Sequence, residues 1–400
     1  MPTKEKKARI LMISFCPTGM ESFFFDAKQT VAGLPSFARV FYKLLNEERV
    51  EHINLILLTN EERPINIPQL YRNKLKVFPI RYHRFRGLIL KSILAIPLVI
   101  FIGLKNRVNI CYICGDACPI IGIAGLILKL PIIRRLYGTF LYPQLGKTKF
   151  SIFLRSPLEY LSFALPASDI IITNDGSSGD LVFKKIGYEK ARLHFLYNGI
   201  EKDMERKMKP PSFKLPPKYI SYVARVSHWK RQHLVIEALS ILKGKGIIVP
   251  LYIVGQNDDP PYFLKLKKIV EEKDLQEQVF FTGGLPAEVT WFILKHSYLT
   301  FALYEYSNLG NVTLEALALG VPLITVNINN SLKDIPKDAY YPLQSDNPTE
   351  IAETIEKLWN SPDICERISA TAKEFAFNFF RDWEERASLE VEIILSHLKA

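Results

Sequence analysis

Residues 298–326 restrict the fold of this 400-residue chain more than any other segment. They begin with a short aromatic and apolar run, residues 298–304, which predicts a buried strand. A turn containing Gly310 follows, then residues 312–319 with good helix formers and a Gly-Val-Pro stop, and then a second apolar run at residues 323–326. The order of strand, glycine turn, helix and strand is typical of a crossover between parallel strands, so it predicts an α/β fold.

The start of the predicted helix has the properties of an anion-binding site. The first backbone N–H groups of a helix have no partner inside it and carry partial positive charge. Gly310 and Asn311 therefore mark a place where a phosphate group can approach the backbone. Glu315 lies about one turn further on, where a carboxylate can accept hydrogen bonds from the two hydroxyls of a ribose. The alternative is that Glu315 is an ordinary solvated residue of an α/β repeat.

The composition indicates a globular protein of two domains with an anionic partner. Hydrophobic residues make up 48% of the chain and charged residues 23%, which is ordinary for a folded protein. The formal net charge of +11 favours a phosphorylated ligand or an anionic lipid surface. We expect no nucleic acid partner, because the chain has no long basic block and no RNA-binding signature. Five cysteines in a chain of this length predict a reducing compartment without a disulfide framework.

Three closely spaced cysteines and a pair of aspartates are candidates for a metal site, and neither set fits one. Cys111 and Cys114 lie three residues apart on a predicted strand, so their side chains point to opposite faces. With Cys118 they supply three thiols, whereas a tetrahedral zinc site needs four ligands. Asp258 and Asp259 lie in a proline-rich turn that indicates a helix entry. We therefore predict core thiols and no metal ion.

Strands and helices alternate through the first half of the chain, restart after a proline-rich segment, and alternate again. This pattern predicts two doubly wound domains with parallel sheets. A loop with an exposed triple phenylalanine, residues 23–25, follows the first strand. Single helices are predicted over residues 119–130 and 155–167, and a helical tail from residue 349. The predicted boundaries are residues 1–206 for the N-terminal domain, 207–218 for the linker, 219–380 for the C-terminal domain and 381–400 for a closing helix.

An apolar run with basic flanks, residues 88–104, leaves three alternatives open. It has about the minimum length for a membrane span, but Lys91 and Pro97 interrupt it. It can instead be a core helix that covers a sheet, or a basic, apolar element lying on an anionic leaflet. No signal peptide is evident, because the apolar run after the basic N-terminus is too short. We therefore expect a cytoplasmic protein, either free or peripheral at the cytoplasmic face of a membrane.

Two cations follow the first strand of the second predicted domain. Arg225 offers a two-pronged donor for phosphate oxygens, and Lys230 offers a point charge. Together with the helix start at Gly310 they suit a diphosphate, and they stabilise developing charge on a leaving diphosphate more than the ground state. The alternative is a solvated loop that begins a helix. In the first domain, polar residues also follow predicted strands at the end where open α/β sheets bind ligands: Asp116, Tyr137 and Asn198.

These motifs resemble those of the retaining, nucleotide-sugar-dependent glycosyltransferases of family four, which have the GT-B fold. The family has a strand followed by Arg and, a few residues on, by Lys, which Arg225 and Lys230 match. Its second signature glutamate and its helix-ending Gly-Val-Pro are matched by Glu315 and residues 320–322, and its Asn-Gly-Ile motif by residues 198–200. The resemblance implies two doubly wound Rossmann-like domains facing across a cleft, with a final helix that packs back on the N-terminal domain.

The resemblance also implies roles for individual residues. The catalytic residues would be Glu315, which holds the ribose, and Arg225 and Lys230, which hold the diphosphate. No cofactor or metal would be needed, because the cations and the helix dipole take the charge role of a metal. The donor would be a UDP- or GDP-linked sugar and the acceptor a glycan or lipid-linked glycan. The implied donor-binding residues are Arg225, Lys230, Gly255, Ser307, Asn308, Gly310, Asn311, Val312 and Glu315, and the implied acceptor-side residues are Gly33, Asp116, Tyr137, Gly138 and Asn198.

The chain departs from the family pattern at three positions. Ser307 stands where the family has its first glutamate, which contacts hydroxyls of the donor sugar; a serine can form hydrogen bonds but has no charge. Glu305 lies about 6.6 Å away along an extended strand and can replace that acid only if the loop shifts. Tyr137 and Arg231 stand where His and Gly are common. Two alternatives stay open: another GT-B enzyme, such as an epimerase or a phosphorylase, or a catalytically decayed protein that only binds nucleotide sugars.

Overall fold

The computed structural model describes residues 7–15, 21–25, 36–83, 85–116, 118–326, 328 and 331–398. The chain forms two compact units, and each combines segments that are distant in sequence. Unit 1 consists of Met1–Asn174, Ser178–Tyr197 and Trp383–Ala400. Unit 2 consists of Asp175–Ser177 and Asn198–Asp382. The chain therefore changes units between Tyr197 and Asn198, earlier than the linker predicted over residues 207–218.

The proline-rich segment belongs to unit 2 because its backbone and side chains pack there. The N–H of Lys209 donates to the carbonyl of Glu288 at 3.1 Å. The ring of Phe213 stacks on that of Tyr252, with ring centroids 6.0 Å apart. The prolines therefore do not mark the boundary between the two units, because this segment packs on unit 2.

Both units are built from strands joined by helices. The strands, in chain order, are β1 (Ala8–Phe15), β2 (Val50–Thr59), β3 (Leu75–Arg81), β4 (Ile110–Cys114), β5 (Ile132–Leu136), β6 (Asp169–Thr173), β7 (Arg192–Leu196), β8 (Ile220–Val223), β9 (Leu251–Val254), β10 (Val279–Gly283), β11 (Leu299–Ala302), β12 (Leu323–Val326) and β13 (Tyr341–Leu343). The helices are α1 (Glu21–Phe24), α2 (Ser36–Asn46), α3 (Phe85–Lys105), α4 (Ile123–Ile127), α5 (Lys149–Arg155), α6 (Pro157–Ala164), α7 (Gly179–Ile186), α8 (Met204–Lys207), α9 (His233–Gly244), α10 (Pro260–Glu272), α11 (Ala287–His296), α12 (Asn311–Leu319), α13 (Pro348–Trp359), α14 (Pro362–Phe379) and α15 (Trp383–Leu395).

Each unit has one parallel sheet with the same winding. The order is β3-β2-β1-β4-β5-β6-β7 in unit 1 and β10-β9-β8-β11-β12-β13 in unit 2. In both, the first strand lies inside the sheet, and the following strands are added first on one side of it and then on the other. This is the doubly wound arrangement, so the predicted α/β fold class is confirmed.

The core of unit 1 lies on both faces of its sheet. Along β1, Met12 packs into a cluster with α2 and α15, and Ile13 packs into a second cluster with α3. Because both faces are covered, the strand is apolar without alternation. Phe23 and Phe24 lie in the first cluster, 2% and 0% exposed, and the ring of Phe23 meets that of Phe41 edge-on. The expectation that these phenylalanines are exposed was wrong, because α1 directs them into the space between β1 and α2.

Some predicted helices are shorter or divided. The helix predicted over residues 119–130 is reduced to the five residues of α4. The one predicted over 155–167 is shortened to α6, and Ser156 divides it from α5, a helix that the sequence did not predict. Pro157 explains the division, because proline cannot donate to the preceding turn and disfavours helical backbone in the residue before it. Pro362 likewise begins α14 and separates it from α13. The three-residue β13 was not predicted, since it is too short to show a pattern.

Helix α3 is apolar and only partly covered by unit 1. Leu88, Ala95, Val99 and Ile102 pack against the sheet. The large apolar residues exposed on the same helix are Leu90, Ile93, Leu94, Leu98, Phe101 and Leu104. In the described part of the chain α3 is the one helix long and apolar enough to cross a membrane, which is weak evidence by length and composition alone. The packing of α3 against the sheet agrees with the predicted core helix. Its exposed apolar side is also consistent with the alternative of an element lying on an anionic leaflet.

Candidate functional site

The strand order of unit 2 defines where a ligand is expected. β8 lies between β9 and β11, and the sheet grows outward from this point in opposite directions. In open parallel sheets, ligands bind beside the carboxyl ends of the strands where the order reverses. The predicted donor residues come after β8 and β11, apart from Gly255, which follows β9. The fold therefore brings them to one edge of unit 2.

Arg225 follows β8 and its side chain is exposed. Its Nη1 lies 2.6 Å from Oδ2 of Asp258, and the side-chain amide of Gln232 donates to its carbonyl at 2.9 Å. The position where the family often has glycine, Arg231, has a left-handed backbone with φ 59°. This conformation favours glycine, and Arg231 instead pairs with Asp346. The side chain that replaces the common glycine at position 231 therefore forms an ion pair, and Arg225 lies at the end of β8.

The ammonium of Lys230 lies between aromatic rings. Its Nζ is 3.3 Å from the ring centroid of Tyr304 and 3.8 Å from that of Trp229. Burial and the nearby charge of Arg225 lower the pKa of Lys230 well below its usual range, and the carboxyl of Asp175 acts in the opposite direction. The rings favour the charged form. Burial and Arg225 both disfavour the charged form of Lys230, so an anionic ligand bound beside it would stabilise that charge.

The turn between β11 and α12 is shaped from inside by Asn308. Its side chain is fully buried: Oδ1 accepts from the N–H of Tyr304 at 2.7 Å and Nδ2 donates to the carbonyl of Val326 at 2.8 Å. The predicted donor residue Asn308 therefore links the ends of β11 and β12 with its side chain. Gly310 caps α12 with extended backbone, and no atom lies within 4 Å of the Cβ that another residue would add.

The N-terminal turn of α12 supplies the other predicted donor residues. Asn311 and Val312 begin the helix, and Gly310 has no side chain to satisfy its first N–H groups. Glu315 is half-buried on the next turn. Burial, followed by the charge of Glu315, raises the pKa of Tyr304. Tyr304 thus has Lys230 against its ring and Glu315 within electrostatic range, which connects the two strand ends.

Gly255 is required by backbone packing at the end of β9. A Cβ on this residue would lie 1.9 Å from the carbonyl oxygen of Ala224 and 3.0 Å from the nitrogen of Arg225. Its own N–H donates to the carbonyl of Gly283 at 3.0 Å. The glycine therefore lets β9 approach β8 just before Arg225.

Asn198 lies in unit 2, so its placement in the N-terminal domain was wrong, while Asp116, Tyr137 and Gly138 lie in unit 1. Its side-chain amide donates to Oδ1 of Asn311 at 2.6 Å, at the start of α12. The Asn-Gly-Ile motif thus follows β7 in sequence but packs beside the donor residues. The sequence pattern shows that Asn198 follows β7, but it does not show that the residues after β7 belong to unit 2.

The remaining acceptor-side residues follow neighbouring strands of unit 1. Asp116 is exposed after β4, and Gly138 follows β5 with φ 132°. The ring of Tyr137 packs on the core, with the guanidinium carbon of Arg135 5.0 Å from its centroid. Burial raises the pKa of Tyr137 well above its usual range. Gly33 lies outside the described residues. Asp116 and Gly138 are therefore together at one sheet edge, and the side chain of Tyr137 is directed inward.

The three cysteines lie in the core, and Asp259 of the aspartate pair caps a helix. Cys111, Cys114 and Cys118 are buried, and burial raises their pKa values, that of Cys111 to about 12. Asp259 caps α10 by accepting from the N–H of Tyr262 at 3.1 Å. Across the residues that the structure covers, no group of three or more His, Cys, Asp or Glu side chains is arranged to hold a metal ion.

Two features of the site were not found from the sequence. The aromatic seat of Lys230, formed by Trp229 and Tyr304, depends on the contact between two loops. Asp175 lies in the short segment that joins unit 2, and its carboxyl accepts from the N–H of Ser177 at 3.0 Å. Its place after the carboxyl end of β6 was the available signal, but the sequence pattern assigns that strand to the first domain.

The fold defines a class: a protein of the GT-B fold, in which most of the predicted donor residues lie at one strand edge of the second unit. Comparison with known proteins agrees. Residues 203–375 match the family described as Glycosyl transferases group 1, which is a little under half of the chain. The resemblance drawn from Arg225, Lys230 and Glu315 is confirmed at this level.

Known relatives cover part of the chain. The glycosyltransferase CapM of capsular polysaccharide biosynthesis in Staphylococcus aureus is 26% identical over 55% of this chain and 54% of its own length. The human mannosyltransferase ALG2 is 30% identical over 36% of each chain. HepE from Anabaena, solved in complex with UDP and glucose, superposes with a TM-score of 0.69 at 16% identity over 98% of this chain and 100% of its own. The chain thus spans about half of CapM and about a third of ALG2, and the likeness to HepE shows the fold.

Proposed function

We propose that the protein is a retaining glycosyltransferase that moves a sugar from a nucleoside-diphosphate donor to a hydroxyl of a glycan or lipid-linked glycan. One observation carries the proposal. The guanidinium of Arg225, the ammonium of Lys230, the glycine-capped start of α12 and Glu315 all follow the two central strands of unit 2. Retention is supported by the resemblance of these motifs to the retaining family.

The chemistry of these groups suits a leaving diphosphate. Arg225 can give two parallel hydrogen bonds to phosphate oxygens, and Lys230 a point charge, while the N–H groups of α12 favour an anion. As the bond to the sugar breaks, negative charge develops on the diphosphate and these contacts become stronger. Glu315 accepts hydrogen bonds from the ribose hydroxyls. The cations then take the charge role that a metal has in other transferases, so we propose transfer without a metal ion.

A ligand panel tests donor binding first. Uridine, guanosine and adenosine diphosphates and their sugars would be compared by thermal shift, with uridine first because HepE binds UDP. A ligand at a hundred times its dissociation constant stabilises the protein by about 2.7 kcal/mol, which is a readily measured shift. The panel is repeated in EDTA and in Mg²⁺. No stabilisation by any nucleoside diphosphate would remove the proposal.

Turnover separates the proposed transferase from its rivals. A transferase releases nucleoside diphosphate in proportion to acceptor, and the anomeric configuration of the product, read by NMR, tests retention. An epimerase would convert the donor without acceptor, and a phosphorylase would require inorganic phosphate. Binding without turnover over a broad set of glycan and lipid-linked acceptors would favour the decayed binding protein. Lys243→Ala is a suitable control, because Lys243 is a surface lysine of unit 2 paired with Asp274.

We also propose that the protein is peripheral on an anionic membrane surface through α3. The helix packs on the sheet with one side, so it lies along unit 1 and exposes its other side. Leu94 and Phe101 are 68% and 59% exposed. Exposed basic residues accompany them at Lys91 and Lys105. Apolar insertion combined with basic residues is the requirement for binding an anionic leaflet.

Vesicle flotation tests this surface. The protein should float with phosphatidylglycerol vesicles at low salt, less at high salt, and little with phosphatidylcholine alone. Leu94→Glu with Phe101→Glu should abolish flotation. Leu264→Glu is the matched control, because Leu264 is 66% exposed in unit 2. Equal flotation of both variants would show that α3 does not mediate binding.

A further inference from the structure

A short segment that follows β6 is fixed against the donor turn of unit 2. The carbonyl of Asp175 accepts from the N–H of Leu309 at 2.9 Å. Gly176 has φ 93°, and a Cβ on it would lie 2.9 Å from Cβ of Ser331 and 3.3 Å from the nitrogen of Asn308. The left-handed backbone and the close contacts both require glycine here. The position of Asp175 beside this turn is therefore set by the backbone.

The carboxyl group of Asp175 contacts the serine of the donor turn. Its Oδ1 accepts from the N–H and the hydroxyl of Ser177 at 3.0 and 2.5 Å. The hydroxyl of Ser307 donates to the same carboxyl. Burial raises the pKa of Asp175, and these bonds, with one from its own backbone N–H, act in the opposite direction. The residue is half-buried, so part of it stays accessible. The acid and Ser307 together form a polar group at the end of β11.

This carboxyl is also coupled to the diphosphate cations. It lies within electrostatic range of Lys230, whose charged form it favours. Glu305, the acid considered from the sequence, is exposed and takes a hydrogen bond from the hydroxyl of its neighbour Tyr306. Asp175 is thus the acid that contacts Ser307, and it reaches the site from a distant part of the chain.

We infer that Asp175 is the acid of the donor site that binds hydroxyls of the transferred sugar, with Ser307 holding its carboxylate in place. The inference rests on the proposed function. A donor bound through its diphosphate at Arg225 and Lys230 presents its sugar next to that diphosphate. A carboxylate accepts sugar hydroxyls strongly. The same carboxylate repels a bare nucleoside diphosphate, which brings additional negative charge and no sugar.

This gives two effects of opposite sign. Asp175→Asn keeps an acceptor oxygen for Ser177 and removes the charge. It should weaken binding of the nucleotide sugar by about tenfold to a hundredfold, the range for a hydrogen bond to a charged group. It should leave binding of the nucleoside diphosphate unchanged or make it tighter. Both affinities are measured by calorimetry on the full chain, using the donor that the ligand panel identifies.

Controls distinguish this role from a structural one. Ser177→Ala removes the hydroxyl contact with Asp175 and keeps the contact of the Ser177 N–H. If Asp175 merely shapes the turn, Asp175→Asn and Ser177→Ala should weaken both ligands in parallel, which would overturn the inference. If the wild-type protein binds no nucleoside diphosphate, the proposed function fails instead. The two failures therefore give different results.

A rescue sharpens the test. Because Ser307 contacts Asp175, Ser307→Glu in the Asp175→Asn background returns a carboxylate to the same place from the other loop. The double variant should regain most of the preference for nucleotide sugar over nucleoside diphosphate. Loss of that preference in Asp175→Asn without any recovery, together with a lowered melting temperature, would contradict the inference.

Discussion

The two units contain charge clusters that differ in how completely they are paired. In unit 1, Glu390 lies 2.8 Å from Nε of Arg135 and 2.8 Å from Nη1 of Arg386, and it accepts from the hydroxyl of Tyr112 at 2.6 Å. The side chains of this ion-paired triad are 0–2% exposed. In unit 2, the side chain of Arg225 is 65% exposed. One cluster is enclosed by its own unit, and the other lies at an open strand edge.

The comparison separates structural charge from charge available to a ligand. Burial opposes ionisation of Glu390, yet Arg135 and Arg386 hold its pKa below the usual range. Lys230 has the opposite balance, because burial and Arg225 lower its pKa. Both sheets have the same winding, so the fold does not decide which cluster binds a substrate. The balance of charges around each group distinguishes the two clusters.

The largest effect is expected from Glu390→Ala. It leaves two buried guanidinium groups without their carboxylate, which costs about 3–5 kcal/mol of unfolding free energy. Urea denaturation measures the loss. Glu392→Ala is the control, because Glu392 forms a surface pair with Arg49 that is worth about 0–1 kcal/mol. Donor affinity should not change where the variant is still folded. A large loss of donor affinity in folded protein would break the distinction between the two clusters.

The next effect is expected from Glu315→Ala in unit 2. Loss of two hydrogen bonds from ribose to a carboxylate, at about 1.5–3 kcal/mol each, should lower kcat/KM by about a hundredfold or more. Unfolding free energy should change little, because Glu315 is half-buried. Steady-state kinetics with the identified donor measures the effect. Glu305→Ala, an exposed acid on the same turn, should stay near wild type; equal losses in both variants would argue against the ribose contact.

The sequence was sufficient for features that depend on local pattern. Apolar runs and turn residues predicted the two parallel sheets. They also predicted that Arg225 and Lys230 follow one strand and that Glu315 lies in the helix after another. Features that depend on contacts between distant segments were not predictable. Asp175 and Asn198 precede the second half in sequence and yet belong to unit 2.

The same reason applies to packing roles that the sequence did not reveal. Gly255 and Asn308 were predicted to bind the donor, and in the structure Gly255 also permits a close approach of strands and Asn308 links two strand ends. From the sequence alone, a glycine or asparagine in a turn is equally consistent with a packing role and with a ligand-binding role. Arg135 gave no sign of its buried partner either, because Glu390 lies on the last helix of the chain.

Smaller effects are expected from Arg225→Ala and Lys230→Ala. Each removes charged hydrogen bonds to the diphosphate and should cost about 1.5–3 kcal/mol of donor binding, or tenfold to a hundredfold in affinity. Arg225→Ala also leaves Asp258 without its ion pair at the strand edge. Calorimetry with the nucleotide sugar measures the effect, with Lys243→Ala as the charge-matched control. Unchanged donor affinity in both variants would show that the diphosphate binds elsewhere.

The smallest effect is a pH dependence that belongs to Lys230. Its pKa in the free protein is depressed, and a bound diphosphate raises it, so donor binding takes up a proton between those two pKa values. Affinity should be constant below the free-state pKa and should fall as pH rises above it, by no more than about tenfold per pH unit because one proton is involved. Calorimetry with the nucleotide sugar, from about pH 6 to the ordinary lysine pKa of about 10.4, would follow the decline.

The control for this titration is Lys230→Arg, which keeps a cation whose charge does not change over that range. Its donor affinity should be weaker than that of the wild type, because the aromatic seat formed by Trp229 and Tyr304 fits an ammonium, but it should be flat with pH. In the Glu390 triad the pKa shifts of Arg135 and Glu390 both favour the charged forms, whereas burial lowers the pKa of Arg386. A wild-type profile as flat as that of Lys230→Arg would mean that Lys230 stays fully charged in the free protein, and the contrast between the two clusters would then rest on the exposure of Arg225 alone.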